Sequence, residues 1–138
     1  MTYSAHISHD AVLRARVALL GSGKPTLAER VAAYRVLAGV SPLAYLPLLA
    51  IALRKYAHRE FTHQPVTQLA LLAESVAAAR DMYAREPGRI GLLIDSLLGH
   101  REQLERMGRQ AEARTADEEI ARLVAEEGSA GHGGPTAR

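Results

Sequence analysis

The residues best suited to hold a charged partner form a basic cluster near the middle of the chain. Arg54, Lys55, His58 and Arg59 fall within six consecutive positions. Arginine presents a planar fork of donors and lysine a compact charge, and both pair with carboxylates. Such a cluster could clamp a carboxylate or an acidic peptide. The alternative is a solvated helix end, because positive charges are favourable near a helix C-terminus.

Other patterns that could carry chemistry are weaker. Residues 21–26 superficially resemble a phosphate loop, but Ala18 and Pro25 stand where that loop needs Gly and Ser or Thr. His6 and His9 could share a helical face, whereas a metal site needs three or four converging ligands. The chain has no cysteine, which excludes a disulfide framework, a thiolate zinc site and a cysteine nucleophile.

The acids and serines offer no catalytic pattern either. No paired carboxylates lie in an apolar context, and no serine lies in a recognisable nucleophile elbow. We therefore predict that the protein is not an enzyme and that it uses no cofactor and no metal.

The composition of the 138 residues favours helices. The apolar share is 48%, mainly Ala, Leu and Val, and aromatic residues make up 4%. Ala and Leu are strong helix formers, whereas strands prefer β-branched and aromatic residues. Apolar spacing and breakers predict six helices. They cover about 8–20, 27–38, 43–60, 66–84, 89–106 and 109–126.

Capping and breaking residues define the predicted helix ends. Ser8 is a plausible N-cap of the first helix, and Thr26 to Glu29 has the pattern of a capping box. Gly39 is a natural stop for the second helix. Ser41-Pro42 opens the third helix, with Ser41 as cap and the proline in the first turn. Pro47 predicts either an irregular first turn or a regular helix that begins near it.

The predicted organisation is one helical domain, 8–126, between a flexible N-terminus, 1–7, and a disordered tail, 127–138. The tail is rich in Gly, Ser, Ala and Pro. The N-terminus has no apolar signal core, and the longest apolar stretch, 40–53, is shorter than the roughly 20 residues of a membrane span. We therefore predict no membrane insertion and a cytoplasmic location.

An internal sequence repeat is the main indication of the fold. Ala28 to Arg35 aligns with Ala73 to Arg80 at an offset of 45 residues. The same offset relates Pro42 with Pro87, Leu48 with Leu93 and Leu53 with Leu98. A weaker third copy, 117–121, follows 73–77 at an offset of 44. One helical hairpin cannot bury both of its apolar faces, so about three stacked hairpins are needed for stability.

These segments resemble the long-period tetratricopeptide-like repeats of high-GC bacteria. Ala28 to Leu53 is the closest stretch, and Gly108 to Ala113 resembles the Gly-Arg-x-x-Glu-Ala turn that opens a second repeat helix. The resemblance covers about 13–124, with a period of 45 in place of the usual 34 or so. It implies an all-α fold of six helices in three stacked antiparallel hairpins, a right-handed α-α superhelix.

The same resemblance implies a function. The family binds peptides or partner proteins in a concave groove lined by the first helix of each hairpin, here the first, third and fifth helices. Polar residues of the third and fifth helices then form the candidate partner-binding groove: Arg54, Lys55, His58, Arg59, Asp95, His100, Arg101 and Gln103. We predict a scaffold or adaptor module whose partner is a protein or peptide, with acidic partners favoured.

Two other functions stay open as alternatives. The first 60 residues carry a net charge of +5, and 27–38, 38–41 and the next helix are spaced like a helix-turn-helix. A recognition helix needs polar residues in its first turns, whereas positions 43–48 are apolar apart from Tyr45, so we predict that nucleic-acid binding is unlikely. The second alternative is a small all-α ligand-binding protein or enzyme.

The first helix also predicts self-association. It carries Val12, Leu13, Val17, Leu19 and Leu20, and is more apolar than a terminal helix of a stack should be. We predict a homodimer formed through the N-terminal end.

Overall fold

The computed structural model describes residues 8–21 and 23–133. These residues are 88% helical and contain no strand. They form α1 (His9–Leu20), α2 (Leu27–Val40), α3 (Pro42–Glu60), α4 (Pro65–Arg85), α5 (Ile90–Arg106) and α6 (Gln110–Gly133), with a 3₁₀ turn at Pro87–Arg89. The prediction of an all-helical chain with six helices is confirmed for the described residues.

The first two helices begin as their capping residues predict. The Ser8 hydroxyl accepts a hydrogen bond from the Ala11 N–H at 3.1 Å. Thr26 and Glu29 form a reciprocal capping box: the Glu29 N–H donates to Thr26 Oγ1 at 3.1 Å, and the Thr26 N–H donates to Glu29 Oε1 at 2.8 Å. These contacts satisfy backbone donors that an α-helix otherwise leaves unpaired at its start.

The predicted stop at Gly39 is wrong. Helix α2 continues through Gly39 to Val40, and the Ser41 N–H still donates to the Leu37 carbonyl at 2.8 Å. Ser41 then has φ −139° and ψ 70°. A residue before proline is pushed out of the helical region, so Pro42 ends α2, and no left-handed glycine is required.

Helix α3 is continuous from Pro42 to Glu60 and includes the buried Pro47, so of the two predicted alternatives the irregular first turn is the one observed. Its first turn is irregular, because the Ser41 carbonyl accepts both a 3₁₀-type bond from the Ala44 N–H at 3.2 Å and an α-type bond from the Tyr45 N–H at 3.0 Å. Ser41 occupies the N-cap position as predicted, but its hydroxyl makes no capping bond.

The connection between α5 and α6 depends on one glycine. Gly108 has φ +74°, where a side chain is strained. The Arg109 N–H donates to the Leu104 carbonyl at 2.9 Å, and the Gly108 N–H donates to the Glu105 carbonyl at 3.0 Å. This is a Schellman arrangement, which closes α5 and reverses the chain within three residues.

The last helix is longer than predicted. It runs to Gly133 and so includes the first residues of the predicted disordered tail, 127–138. Residues 134–138 of that tail, and the predicted flexible N-terminus, 1–7, lie outside the described residues.

Each helix packs against the next one along the chain, and α3 also contacts α5. The main core lies between α3, α4 and α5, where fully buried leucines such as Leu49, Leu53 and Leu72 meet. Two buried serines tie these helices together, because Ser75 Oγ bonds the Ala50 carbonyl at 2.8 Å and Ser96 Oγ at 3.1 Å. A smaller cluster joins α1 to α2.

The burial pattern corrects the predicted register between α3 and α5. Leu48 is 42% exposed whereas Leu93 is 1% exposed, and Leu53 is buried whereas Leu98 is exposed, so these residues are not equivalent. An offset of 44 aligns the buried positions of the two helices instead. It relates 49, 50, 52 and 53 to 93, 94, 96 and 97.

Candidate partner-binding groove

A groove of about 510 Å³ lies between α3 and α5. Helix α3 contributes five lining residues: Ile51, Arg54, Lys55, His58 and Arg59. Helix α5 contributes four: Asp95, Leu98, Gly99 and Glu102. The basic cluster found in the sequence therefore forms one wall of a concave surface.

Helical spacing explains why these residues meet. On α5 the lining positions 95, 98, 99 and 102 follow the i, i+3, i+4, i+7 rule, and on α3 the positions 51, 54, 55 and 58 follow the same rule. The two sets are also related by the offset of 44 that aligns the buried positions. Both helices thus present the same face to the groove.

The floor of the groove is apolar and shaped by a glycine. Ile51 is 36% exposed and Leu98 is 38% exposed. A Cβ at Gly99 would lie 3.8 Å from Arg54 Cδ, so the aliphatic part of Arg54 lies across α5 at this point. The Arg54 Nε is buried and makes no hydrogen bond to a described residue. A side chain at position 99 longer than alanine would displace Arg54 or Leu72.

We expect Gly99→Ala to stabilise the protein by about 0.5–1 kcal/mol, because glycine in a helix interior is less favourable than alanine by about that amount. The added Cβ makes only ordinary contacts, 3.7 Å from Leu72 Cδ2 and 3.8 Å from Arg54 Cδ. Urea unfolding at pH 7 measures the change. A lower unfolding midpoint than in the wild type would show that the groove floor is packed more tightly than these distances indicate.

The two walls carry opposite charges. Arg54, Lys55 and Arg59 lie on α3, and Asp95 and Glu102 lie on α5. No ion pair within the described chain joins the two walls; Glu102 instead lies 3.7 Å from Arg106 on its own helix. Charges that do not pair across the groove, beside exposed Ile51 and Leu98, make a surface that can bind apolar and charged groups together.

Five of the eight predicted site residues line this groove: Arg54, Lys55, His58, Arg59 and Asp95. The structure places His100, Arg101 and Gln103 elsewhere. Arg101 Nη1 pairs with Glu105 Oε1 at 2.9 Å, and Arg101 Nε lies 3.1 Å from Asp117 Oδ1 on α6.

Gln103 is buried between α5 and the start of α4. Its Nε2 donates to the Pro65 carbonyl at 3.3 Å, and its Oε1 accepts from Arg106 at 2.7 Å. It is therefore a residue that joins helices and is not accessible to a partner.

His100 lines a separate cavity of about 280 Å³ between α4, α5 and α6, together with Arg80, Glu112 and Glu119. Burial lowers the pKa of His100, against the opposing effect of Glu112, and Arg109 lowers it further. In the same cavity, the hydrogen bond from Arg80 holds the pKa of Glu119 below its usual value.

We expect stability to fall as the pH drops from about 7.5 to 5.5, and His100→Gln to reduce this fall. The folded pKa of His100 is below that of the unfolded imidazole, about 6.5, so the unfolded state binds more protons in this window. Urea unfolding of both proteins at the two pH values measures the effect. The other histidines are present in both proteins and cancel, and Glu119 titrates at lower pH. Equal pH dependence of both proteins would contradict the assignment.

Among residues 8–21 and 23–133, no three His, Cys, Asp or Glu side chains come together as a group that could hold a metal ion. No helix of the described chain is long and apolar enough to cross a membrane.

Comparison of the chain with protein-family models, with curated proteins and with solved structures finds no match.

Proposed function

We propose that the protein is an interaction module that binds a partner protein or peptide in the groove between α3 and α5. The observation that carries this proposal is the convergence of four basic or histidine side chains of α3 with exposed Ile51 and Leu98. A partner segment that carries apolar side chains and carboxylates complements such a surface. We further propose a cytoplasmic location, which the absence of cysteine supports.

The proposal includes a stack of three tetratricopeptide-like hairpins: α1 with α2, α3 with α4, and α5 with α6. Two observations support it. The first helices of the second and third hairpins meet where α3 contacts α5. Second helices are linked by two ion pairs, Arg35 with Glu74 and Arg80 with Glu119, and each pair spans the same 39 residues.

Two features disfavour the helix-turn-helix alternative. Only Ser41 separates α2 from α3, whereas that motif has a turn of three or four residues. In the first turns of α3, Leu46 and Pro47 are buried, and exposed Leu43 and Leu48 cannot hydrogen-bond base edges.

A pull-down from an extract of the native host, with the full chain as bait at low and high salt, tests the proposed function. We expect a protein that is retained at low salt and released at high salt, because exposed ion pairs are screened. If no protein is retained while a small molecule co-purifies with the chain, the ligand-binding alternative replaces the adaptor.

A further inference from the structure

A second groove, of about 260 Å³, lies between α1 and α2 at the opposite end of the described chain from α6. Its apolar lining consists of Ala11, Ala15, Ala18, Ala32, Ala33 and Val36. The charged lining residues are Arg14 and Glu29, one of each sign. We call this surface the α1/α2 groove.

Two acids on second helices form ion pairs with an arginine of the preceding second helix. Arg35 of α2 donates to both carboxylate oxygens of Glu74 on α4, at 2.7 and 2.8 Å. Arg80 of α4 also forms a bidentate ion pair, with Glu119 of α6. The arginine and the acid of this pair each lie 45 residues after their counterparts in the first pair. The acid at this position on α4 and α6 thus receives an arginine from a neighbouring helix.

Glu29 occupies the same position on α2, because it precedes Glu74 by the same 45 residues. Its Oε1 accepts the Thr26 N–H, but no described arginine or lysine forms an ion pair with it. Arg14 across the groove likewise has no ion pair within the described chain. The α1/α2 groove therefore carries the acid of the recurring pair without its arginine, and it also carries Arg14 of α1 without an acid, beside apolar surface.

We infer that the α1/α2 groove is the interface of a two-fold homodimer. A two-fold axis brings the same surface of each copy together, so one cation and one anion per copy give two identical ion pairs, Arg14 of each copy with Glu29 of the other. The alanines let the two copies approach closely and bury the groove walls. This interface lies apart from the α3/α5 groove and leaves it open.

A head-to-tail stack of copies fits less well. In that arrangement α6 of one copy would cover the α1/α2 groove of the next, and the residue 45 after Arg80 would face Glu29. That residue is Ala125, which cannot form the pair. The exposed side chains of α6 include Arg114, Glu118 and Arg122, as expected for a solvated cap.

Sedimentation equilibrium of the full chain over a range of concentrations tests the dimer. We expect the wild type to dimerise, and Arg14→Glu to raise the dimer dissociation constant by about tenfold or more, since it places two acids opposite each other at both pair positions of the interface. Adding Glu29→Arg to Arg14→Glu should lower the dissociation constant again, toward the wild-type value, although it also removes the capping bond from the Thr26 N–H. Ala18→Trp should block the groove without touching the α2 cap.

Arg16→Glu is the matched control, because it makes the same charge change on the same helix. Arg16 lines a different hollow, beside Leu19, Leu20 and Tyr45. We expect it to leave dimerisation unchanged. A wild type that stays monomeric at high concentration overturns the inference. The inference is also overturned if Arg14→Glu and Ala18→Trp leave the dimer intact while Arg16→Glu abolishes it. The interface would then be the exposed stripe of Leu13, Val17 and Leu20.

Discussion

Leu53→Ala should lower the free energy of unfolding by about 3.5 kcal/mol, the middle of the range for a fully buried leucine. Leu53 has no exposed surface and lies in the cluster where α3, α4 and α5 meet. The substitution leaves a cavity that the flanking helices cannot close, because Ser75 holds Ala50 and Ser96 at fixed distances. Urea unfolding followed by far-UV circular dichroism measures the loss.

Leu48→Ala is the control for this prediction. It removes the same atoms from the same helix, but Leu48 is 42% exposed. We expect a cost below about 1 kcal/mol, since less apolar surface returns to water and no cavity forms. Equal losses in the two variants would contradict the register of α3 that places Leu53 inward and Leu48 outward.

The double variant Lys55→Glu with Arg59→Glu should weaken binding of the partner by about 10- to 100-fold, or roughly 1.4–2.8 kcal/mol. Both side chains are exposed and line the α3/α5 groove, so the fold should survive. The reversed charges join Asp95 and Glu102, so four acids then line the groove with Arg54, and they repel a partner's carboxylates. Titration calorimetry with the partner from the pull-down measures the affinity.

The control makes the same charge change on another surface. Arg114→Glu with Arg122→Glu alters two exposed arginines of α6, away from the groove. We expect this variant to bind with wild-type affinity, and the difference between the two double variants to shrink at high salt. Equal weakening by both variants would mean that net charge, and not the groove, governs binding.

The helices were predictable because their signals are local. Ser8 and the Thr26–Glu29 capping box lie next to the turns that they cap, and apolar spacing marks each buried face. The predicted stop at Gly39 was wrong because Gly39 stays in the helical conformation, whereas Gly108 adopts a positive φ and closes α5. The proline that follows Ser41 ended α2 instead. The sequence contains both signals, Gly39 and Pro42, but which of them ends α2 depends on the packing of the folded chain.

Only part of the groove was predictable, for a geometric reason. The basic residues of α3 are polar and clustered, so chemistry alone finds them. On α5, a search for polar residues selected His100, Arg101 and Gln103, which lie off the helix face that contains Asp95 and Leu98. Applying the i+3 and i+4 rule from Asp95 would have found Leu98, Gly99 and Glu102.

The offset of 45 residues obscured the equivalence between the groove-lining positions of α3 and α5, which are 44 residues apart. It aligns leucines of α3 and α5 that face opposite ways, whereas it correctly relates the ion pairs of α2, α4 and α6. Equivalent positions lie 45 residues apart in α2 and α4 but 44 residues apart in α3 and α5, so one offset cannot align both pairs of helices. Identity between leucines carries no information about which way each one points.

Site-specific photo-cross-linking tests the central claim most directly. A photoreactive amino acid is placed at position 55, on the α3 wall of the groove, or at position 118, on the exposed surface of α6, and each protein is irradiated in an extract of the native host. The proposed function predicts a cross-linked partner from position 55 and none from position 118. A cross-link from position 118 alone would show that the partner binds outside the groove between α3 and α5.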